Sequence, residues 1–162
     1  KQRLFFKYEN LEKYHCENPQ WRQFLHYYSD NNSILRKSEW LEFPYHDVEY
    51  GEDQLWVDWI ILNNKIKAYA KNAVVFHSHD YSIDDEYERS EIESYFFFKY
   101  FNYNLSSNRY DLEASLEKMT SNYLSRNAKM STRLLNMNLL KIRAKLEGYN
   151  NGPERLVNEI MQ

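Results

Sequence analysis

The hydrophobic periodicity of one stretch, Gly51 to His79, changes from helical to alternating, and this constrains the fold of the chain most strongly. From Asp53 to about Leu62 the apolar residues recur at helical spacing, which predicts a helix. The next segment, KIKAYA, alternates as a half-buried strand does, and AVVF predicts a short buried strand that ends at His77. The sequence therefore predicts a mixed α/β, helix-rich fold with a few short strands.

Composition limits the classes of protein to which the chain can belong. The 162 residues are 43% hydrophobic and 17% aromatic, which predicts an ordered core rather than a disordered chain. A net charge of −3 argues against a nucleic-acid partner. The single cysteine, Cys16, is typical of a reducing compartment, and no apolar run approaches the roughly 20 residues of a membrane span, so we expect a cytoplasmic protein. Because the chain begins at Lys1 in what reads as mid-protein sequence, we also expect a fragment.

The remaining elements are predicted to be mostly helical. Residues 1–28 are expected to be helical with a break near Pro19, and a helical turn capped by Ser38 is expected to run to Phe43. Three helices are predicted after the histidines: Asp84 to about Phe101, Tyr110 to Ser125 and Ala128 to Glu147. Gly148 and Gly152-Pro153 are predicted to end the last of them.

A carboxylate pair at the start of the first predicted helix is the main candidate for chemistry. Asp53, next to Glu52, lies where a loop enters the helix, and the free N–H groups and dipole of a helix start favour an ionised carboxylate. A fixed, ionised carboxylate can accept a proton from an attacking hydroxyl. The alternative is a plain helix cap.

Two histidines follow the second predicted strand. His77 and His79 are two positions apart, so in extended chain they point to opposite faces and do not chelate one metal ion together. One of them can serve as a single imidazole ligand among carboxylates. The alternative is one histidine in the core and one in solvent.

The motifs around these residues resemble one enzyme family. The run from Ser29 to Arg89 contains SDNNSILRKSEWLEFPYHDVEYGEDQLW, then NAVVFHSHDYS, then YERS, and 24 positions separate Asp53 from His77. This order and spacing resemble family 2 glycosyltransferases of GT-A fold, in the rhamnosyltransferase-like branch. The resemblance implies that residues 1–90 are the acceptor-side, C-terminal part of a GT-A-like catalytic domain and that residues 91–162 are a helical extension.

The resemblance implies a role for each matching residue. Asp53 would be the catalytic base of an inverting transfer, Glu52 would support it or bind the acceptor, and His77 would be a metal ligand. Substrate contacts, or residues that order the loops around the substrate, would be Asn32, Ser33, Arg36, Trp56, His79, Tyr81 and Arg89.

The activity implied by the resemblance is transfer of a sugar, with rhamnose suggested by the branch, from a nucleotide-sugar to a saccharide or lipid-linked acceptor in cell-surface polysaccharide synthesis. The family's N-terminal half supplies a DXD motif for Mn²⁺ or Mg²⁺. No DXD motif ends an apolar strand in this sequence, so we expect the chain to be inactive alone. The alternatives are a non-catalytic carbohydrate- or protein-binding module and a small metal-binding regulatory domain.

Two surface properties are also predicted. Four basic residues of the last predicted helix and the turn before it are expected opposite its apolar stripe: Arg126, Lys129, Arg133 and Lys141. They form either a solvated face or a surface for anionic lipid, which would place the protein at the inner face of a membrane. Exposed strand edges and aromatic side chains would favour a homo-oligomer.

Overall fold

The computed structural model describes residues 4–6, 22, 25, 27–70, 72–106 and 112–162. The chain divides into two compact units, Lys1–Ser78 and His79–Gln162. The family-based division after residue 90 falls within a helix of the second unit and stays a prediction. Most of the helix expected in residues 1–28 lies outside the described residues, and where the structure describes Leu4–Phe6 the expectation is wrong, because they form a strand that pairs with Lys67–Tyr69.

The first unit has short strands and helices around a small core. Its elements are β1 (Leu4–Phe6), a 3-10 turn (Asp30–Asn32), α1 (Lys37–Glu42), α2 (Glu52–Leu62) and β2 (Lys67–Tyr69). Strands β1 and β2 pair antiparallel, with Leu4 opposite Tyr69 and Phe6 opposite Lys67. The helical turn and the strand predicted in KIKAYA are both confirmed.

Helix α2 supplies most of the core of this unit. Trp56, Val57, Ile60 and Ile61 are all at most 5% exposed and pack with Leu25. The predicted helix from Asp53 to about Leu62 is confirmed, and most of its apolar residues lie in this core or pack against it.

Two local predictions for the first unit are wrong. The AVVF segment is not a buried strand: Val74 is 78% exposed, Phe76 lies fully in solvent, and no described strand pairs with this segment. These residues have high strand propensity, but burial without a partner strand would leave their backbone N–H and C=O groups unpaired. The segment therefore stays exposed to solvent. Ser38 does not cap α1, because the helix begins one residue earlier, after Arg36.

The second unit consists of three helices: α3 (Ile83–Phe101), α4 (Leu112–Arg126) and α5 (Thr132–Ile160). At the start of α3, the Ser82 hydroxyl accepts from the Asp85 N–H, and the Asp85 carboxylate accepts from the Ser82 N–H. This capping box explains why the acidic helix start was predicted correctly. The helix-rich character of the chain is confirmed. No helix in the described part of the chain combines the length and hydrophobicity of a membrane span.

The predicted end of the last helix is wrong, because α5 continues through Gly148, Gly152 and Pro153 to Ile160. Both glycines lie against α3. A Cβ atom on Gly148 would lie 2.8 Å from the Ser90 Cβ, and one on Gly152 would lie 2.5 Å from the Ser94 Cβ. The glycines therefore serve close packing of two helix backbones rather than helix termination.

The proline in α5 is accommodated by a hydroxyl from α3. Pro153 has no N–H, so it leaves the carbonyl of Tyr149, four residues earlier, without its helical partner. The Ser94 hydroxyl, fully buried, donates to that carbonyl at 2.7 Å. The contact satisfies the backbone group that proline would otherwise leave unpaired, which is why the helix does not end there.

Because the Ser94 hydroxyl replaces the N–H donor that Pro153 lacks, we expect the two residues to be energetically coupled. Ser94→Ala removes only the hydroxyl and is expected to lower the unfolding free energy by about 1–3 kcal/mol, because it leaves a buried carbonyl unpaired. In a Pro153→Ala background the restored N–H can pair with the Tyr149 carbonyl, so the same change is expected to cost at least about 1 kcal/mol less. Urea unfolding followed by far-UV circular dichroism measures both.

Ser125→Ala is the matched control, because the Ser125 hydroxyl donates to the Asn122 carbonyl at 2.9 Å on an exposed face. It is expected to change stability by less than about 0.5 kcal/mol in either background. Equal costs of Ser94→Ala in both backgrounds would show that its hydroxyl does not replace the missing N–H.

Candidate functional site

The first turn of α2 holds the carboxylate pair. Gly51, just before the helix, has φ of 76° and ψ of 22°, a left-handed conformation that glycine adopts without a steric cost. The loop can therefore turn sharply into the helix, with Glu52 and Asp53 as its first two residues. Both side chains are partly buried and partly open to solvent.

The Asp53 carboxylate lies near backbone N–H groups of two segments. The N–H of Gln54, in its own helix, and the N–H of Asp30, in the 3-10 turn, both act to lower its pKa. The buried Gln54 side chain donates to the carbonyl of Tyr28, just before that turn. The EDQ and SDNNS motifs are therefore joined, and the position of Asp53 is set by both.

Burial and like charge make Asp53 a stronger base than a solvated aspartate. Loss of solvent is the largest cause that raises the pKa of Asp53, from 3.8 to about 6, and the carboxylates of Glu52 and Asp30 add to it. The two backbone N–H groups act in the opposite direction without cancelling the rise. The expectation that the helix start holds this carboxylate firmly ionised is corrected: desolvation and neighbouring acids outweigh the helix start.

Aromatic side chains line the region beside these carboxylates. The Tyr45 hydroxyl donates to Asp30 Oδ1 at 2.7 Å, and the rings of Tyr45 and Tyr28 each lie 5.9 Å from the ring of Trp56. Burial is the largest cause that raises the pKa of both tyrosines, so each hydroxyl stays protonated at neutral pH. The site thus combines carboxylate acceptors with aromatic faces.

Sequence reasoning did not single out Asp30 or Tyr45. Asp30 lies within the SDNNS motif, so the motif itself carried a signal for it. Tyr45 carried none, because its contact with Asp30 depends on how the loop between α1 and α2 folds back.

The other predicted substrate residues of this unit have different environments. The exposed Asn32 side chain donates to the Ala73 carbonyl at 2.8 Å, which ties the segment before His77 to the SDNNS loop. Ser33 is half-buried beside Tyr28, and its side chain partly offsets the rise in the pKa of Tyr28 that burial causes. Trp56 is only 4% exposed and its indole N–H donates to the Phe43 carbonyl at 2.9 Å, so it packs within the core.

A cavity of about 370 Å³ adjoins this cluster and shares Tyr28 and Trp56 with it. Arg36 also lines the cavity, whereas Asp53 does not. Lys67 also lines the cavity: its partly buried ammonium donates to the carbonyls of Leu25 and Tyr27, and loss of solvent lowers the pKa of Lys67 to about 8. The volume is at the small end of ligand sites.

The histidine predicted as a metal ligand lies in the exposed segment 72–80. Among the described residues, no three histidine, cysteine, aspartate or glutamate side chains are grouped closely enough to hold a metal ion. The described residues thus do not complete a metal site around His77, and its role as ligand rests on the resemblance alone. That Asp53 and His77 face one cleft stays a prediction.

Three other predicted residues stack on each other in the second unit. The rings of His79 and Tyr81 lie 4.8 Å apart and nearly parallel, at 11°. The Arg89 guanidinium lies 5.3 Å from the centre of the Tyr81 ring, within cation–π distance. The fold therefore brings together the loop that contains His79 and Tyr81 and the first turns of α3.

The chain was compared with protein-family models, with curated proteins and with solved structures, and none matches. The motifs and the geometry of the carboxylate cluster are therefore what a functional proposal has to rest on.

Proposed function

We propose that this chain is the acceptor-side part of an inverting family 2 glycosyltransferase of GT-A fold, with Asp53 as catalytic base. The observation that supports this most directly is a half-buried carboxylate at the start of α2 that lies next to the 3-10 turn, to which Gln54 is joined by its hydrogen bond to the Tyr28 carbonyl. Two of the motifs that carry the family resemblance, SDNNS and EDQ, meet near this carboxylate.

The proposed reaction is a single displacement. The acceptor hydroxyl oxygen bonds to the anomeric carbon of the donor sugar while the bond from that carbon to the nucleoside diphosphate breaks. The diphosphate leaves with the electron pair, and the hydroxyl proton moves to an Asp53 oxygen. Attack opposite the leaving group inverts the configuration at the anomeric carbon.

The environment of Asp53 suits a general base. A base is most efficient when its pKa lies near the working pH, and burial together with Glu52 and Asp30 raises the pKa of Asp53 to about 6. At neutral pH the group is mostly deprotonated and therefore ready to accept a proton. Because the carboxylate belongs to the first turn of a helix that packs into the core, its backbone position is set before the hydroxyl binds.

Neighbouring groups have supporting roles in this proposal. Sugar rings expose both hydroxyl groups and apolar C–H faces, which match the carboxylates and the rings of Tyr28 and Tyr45, respectively. The role that the resemblance implies for Arg89, a contact with the donor diphosphate, stays a prediction. The ion that the resemblance implies, Mn²⁺ or Mg²⁺ with His77 as one ligand, would require further ligands from another part of the protein.

The test is Asp53→Asn in a protein that joins this chain to a donor-binding half. Sugar transfer from a nucleotide-sugar is expected to fall about 10²–10⁴-fold, because asparagine cannot take the proton. Affinity for the nucleotide-sugar is expected to stay within about twofold. Asp47→Asn, on the exposed loop before α2, changes the charge equally and is expected to keep full turnover. Transfer by the Asp53→Asn protein within a few-fold of the parent rate would disprove the assignment.

A non-catalytic carbohydrate-binding module is the second candidate, favoured by the cavity that Tyr28 and Trp56 line. It predicts that the chain alone binds saccharides and that no hydrolysis of a nucleotide-sugar or transfer from it depends on Asp53. Saccharide titration by NMR with parent and Asp53→Asn chains distinguishes the two candidates. Equal binding by both chains, with no Asp53-dependent transfer by the joined protein, would favour the module.

A further inference from the structure

The second unit has a strongly asymmetric charge distribution. Between Lys118 and Leu146, which covers most of α4 and the first half of α5, the sequence has seven of the chain's 21 basic residues and none of its 24 acidic residues. Every charged residue of this helical hairpin is therefore basic, although the whole chain has a net charge of −3. We call residues 118–146 the basic hairpin.

The basic residues at the tip of this hairpin differ from those at its base. The three basic residues toward the base each form an ion pair with a carboxylate: Lys141 with Asp80 at 3.5 Å, Arg143 with Glu147 at 2.8 Å and Lys145 with Glu86 at 3.6 Å. Arg126, Lys129 and Arg133 are exposed, and no carboxylate of the described residues lies within 4.0 Å of them. The cationic groups nearest the tip are thus available to an external anion.

Apolar side chains are exposed on the same hairpin. Leu134, Met137 and Leu140 are 46%, 44% and 51% exposed, and their three-residue spacing places them on one side of α5. At about 100° per residue, Arg133 falls within the same arc, between Met137 and Leu140. Arg133 therefore lies opposite the predicted apolar stripe of Leu135, Leu139, Ile142 and Leu146, but it shares its own face of α5 with these three exposed apolar side chains.

The turn at the tip of the hairpin is held by side-chain hydrogen bonds. The Asn138 side chain donates to the Tyr123 hydroxyl at 2.7 Å, and that hydroxyl lies 3.2 Å from the Met130 sulfur. The Asn127 side chain donates to the Tyr123 carbonyl at 2.9 Å. Helix α4 is thereby joined to the start of α5, and the exposed basic and apolar groups are presented on a defined surface.

We propose that the tip of the basic hairpin binds the surface of an anionic lipid bilayer. Interleaved cations and apolar side chains match the two layers of such a surface: the cations bind acidic headgroups, and the apolar side chains enter the acyl boundary beneath them. A nucleic-acid duplex would satisfy the cations but would leave Leu134, Met137 and Leu140 in water, so it matches the surface less well. The inference is independent of the glycosyltransferase proposal.

The test is sedimentation of the whole chain with vesicles of phosphatidylcholine alone and of phosphatidylcholine with 30% phosphatidylserine. Binding is expected only to the anionic vesicles, and it is expected to weaken as salt rises from low to high ionic strength. Arg126→Gln, Lys129→Gln and Arg133→Gln are each expected to weaken it about fivefold, and the triple variant about 100-fold. Lys37→Gln, an exposed change in the first unit, is the matched control and is expected to have less than a twofold effect.

A second pair of substitutions tests the apolar contribution. Leu134→Gln with Met137→Gln leaves the charge unchanged and is expected to weaken vesicle binding about tenfold, with the same far-UV circular dichroism as the parent. If the parent chain does not bind anionic vesicles at low salt, the proposal is overturned. It is equally overturned if the triple variant binds as well as the parent. If vesicle binding depends on charge but not on Leu134 and Met137, and a DNA duplex binds equally tightly, the tip is a general surface for polyanions. That result would also overturn the proposal.

Discussion

Replacing Asp53 by asparagine is expected to stabilise the first unit by about 1–2 kcal/mol at pH 7.5, less than the full pKa shift implies because the group is partly screened by solvent, while it abolishes the proposed transfer. The physical reason is the energetic cost of ionising a partly buried carboxylate beside Glu52 and Asp30. Asparagine keeps an oxygen that can accept from the N–H groups of Asp30 and Gln54 but has no charge to desolvate. A functional group that destabilises its own fold is a common feature of active sites.

The pH dependence of this effect follows from the raised pKa of Asp53. Below pH 3.8 the carboxyl is protonated in both the folded and the unfolded chain, and its ionisation costs no stability. As the pH rises from 3.8 through about 6, the unfolded chain loses its proton first, so the folded state becomes progressively less stable. The advantage of the Asp53→Asn variant is therefore expected to be small near pH 4 and fully developed above pH 6.5.

Tryptophan fluorescence during urea unfolding measures this effect selectively. All four tryptophans lie within residues 1–78, so their signal reports the first unit and not the second. Asp47→Asn, in the exposed loop, is the control and is expected to change stability by less than about 0.5 kcal/mol at either pH. An equal difference between parent and Asp53→Asn at pH 4 and pH 7.5 would contradict the raised pKa.

Gly152→Ala is expected to destabilise the second unit by about 3 kcal/mol or more, although alanine is the better helix former by about 1 kcal/mol. The added Cβ would lie 2.5 Å from the backbone nitrogen of Tyr95 and 2.5 Å from the Ser94 Cβ, and 2.7 Å from the Glu91 carbonyl oxygen. Two of these three atoms belong to the backbone of α3 and cannot rotate away. The helices α3 and α5 must therefore separate along their closest contact.

Far-UV circular dichroism during urea unfolding measures the loss, because the second unit is built of helices. Ser94→Gly removes one clashing atom but leaves the Tyr95 nitrogen and the Glu91 carbonyl, so it is expected not to rescue Gly152→Ala. Asn158→Ala, at an exposed position of the same helix, is the control and is expected to be neutral or slightly stabilising. A Gly152→Ala protein as stable as this control would show that the two helices do not approach so closely.

Local sequence signals predicted most of the helices of this protein. The apolar spacing of α2 and the capping residues Ser82 and Asp85 of α3 act within one or two turns of chain, so their effect can be deduced from neighbouring residues alone. Asp53 was found for the same reason, since a carboxylate at the start of a helix is a local feature.

Contacts between distant segments decided the features that the sequence did not predict. Pro153 interrupts a helix in any local account, and only the Ser94 hydroxyl, 59 positions earlier in the chain, replaces the missing donor. The AVVF segment is a strand by propensity, but a strand requires a partner, and none of the described strands pairs with it.

The sequence by itself determined which segments are helical, to within a few residues at their starts, and which residue types are available for chemistry, because these properties depend on neighbours along the chain. The tertiary structure alone decided the basicity of Asp53, since its pKa depends on burial and on Asp30, which the fold brings to it from another segment. Desolvation and charge proximity are properties of three-dimensional packing, and no spacing along the chain specifies them.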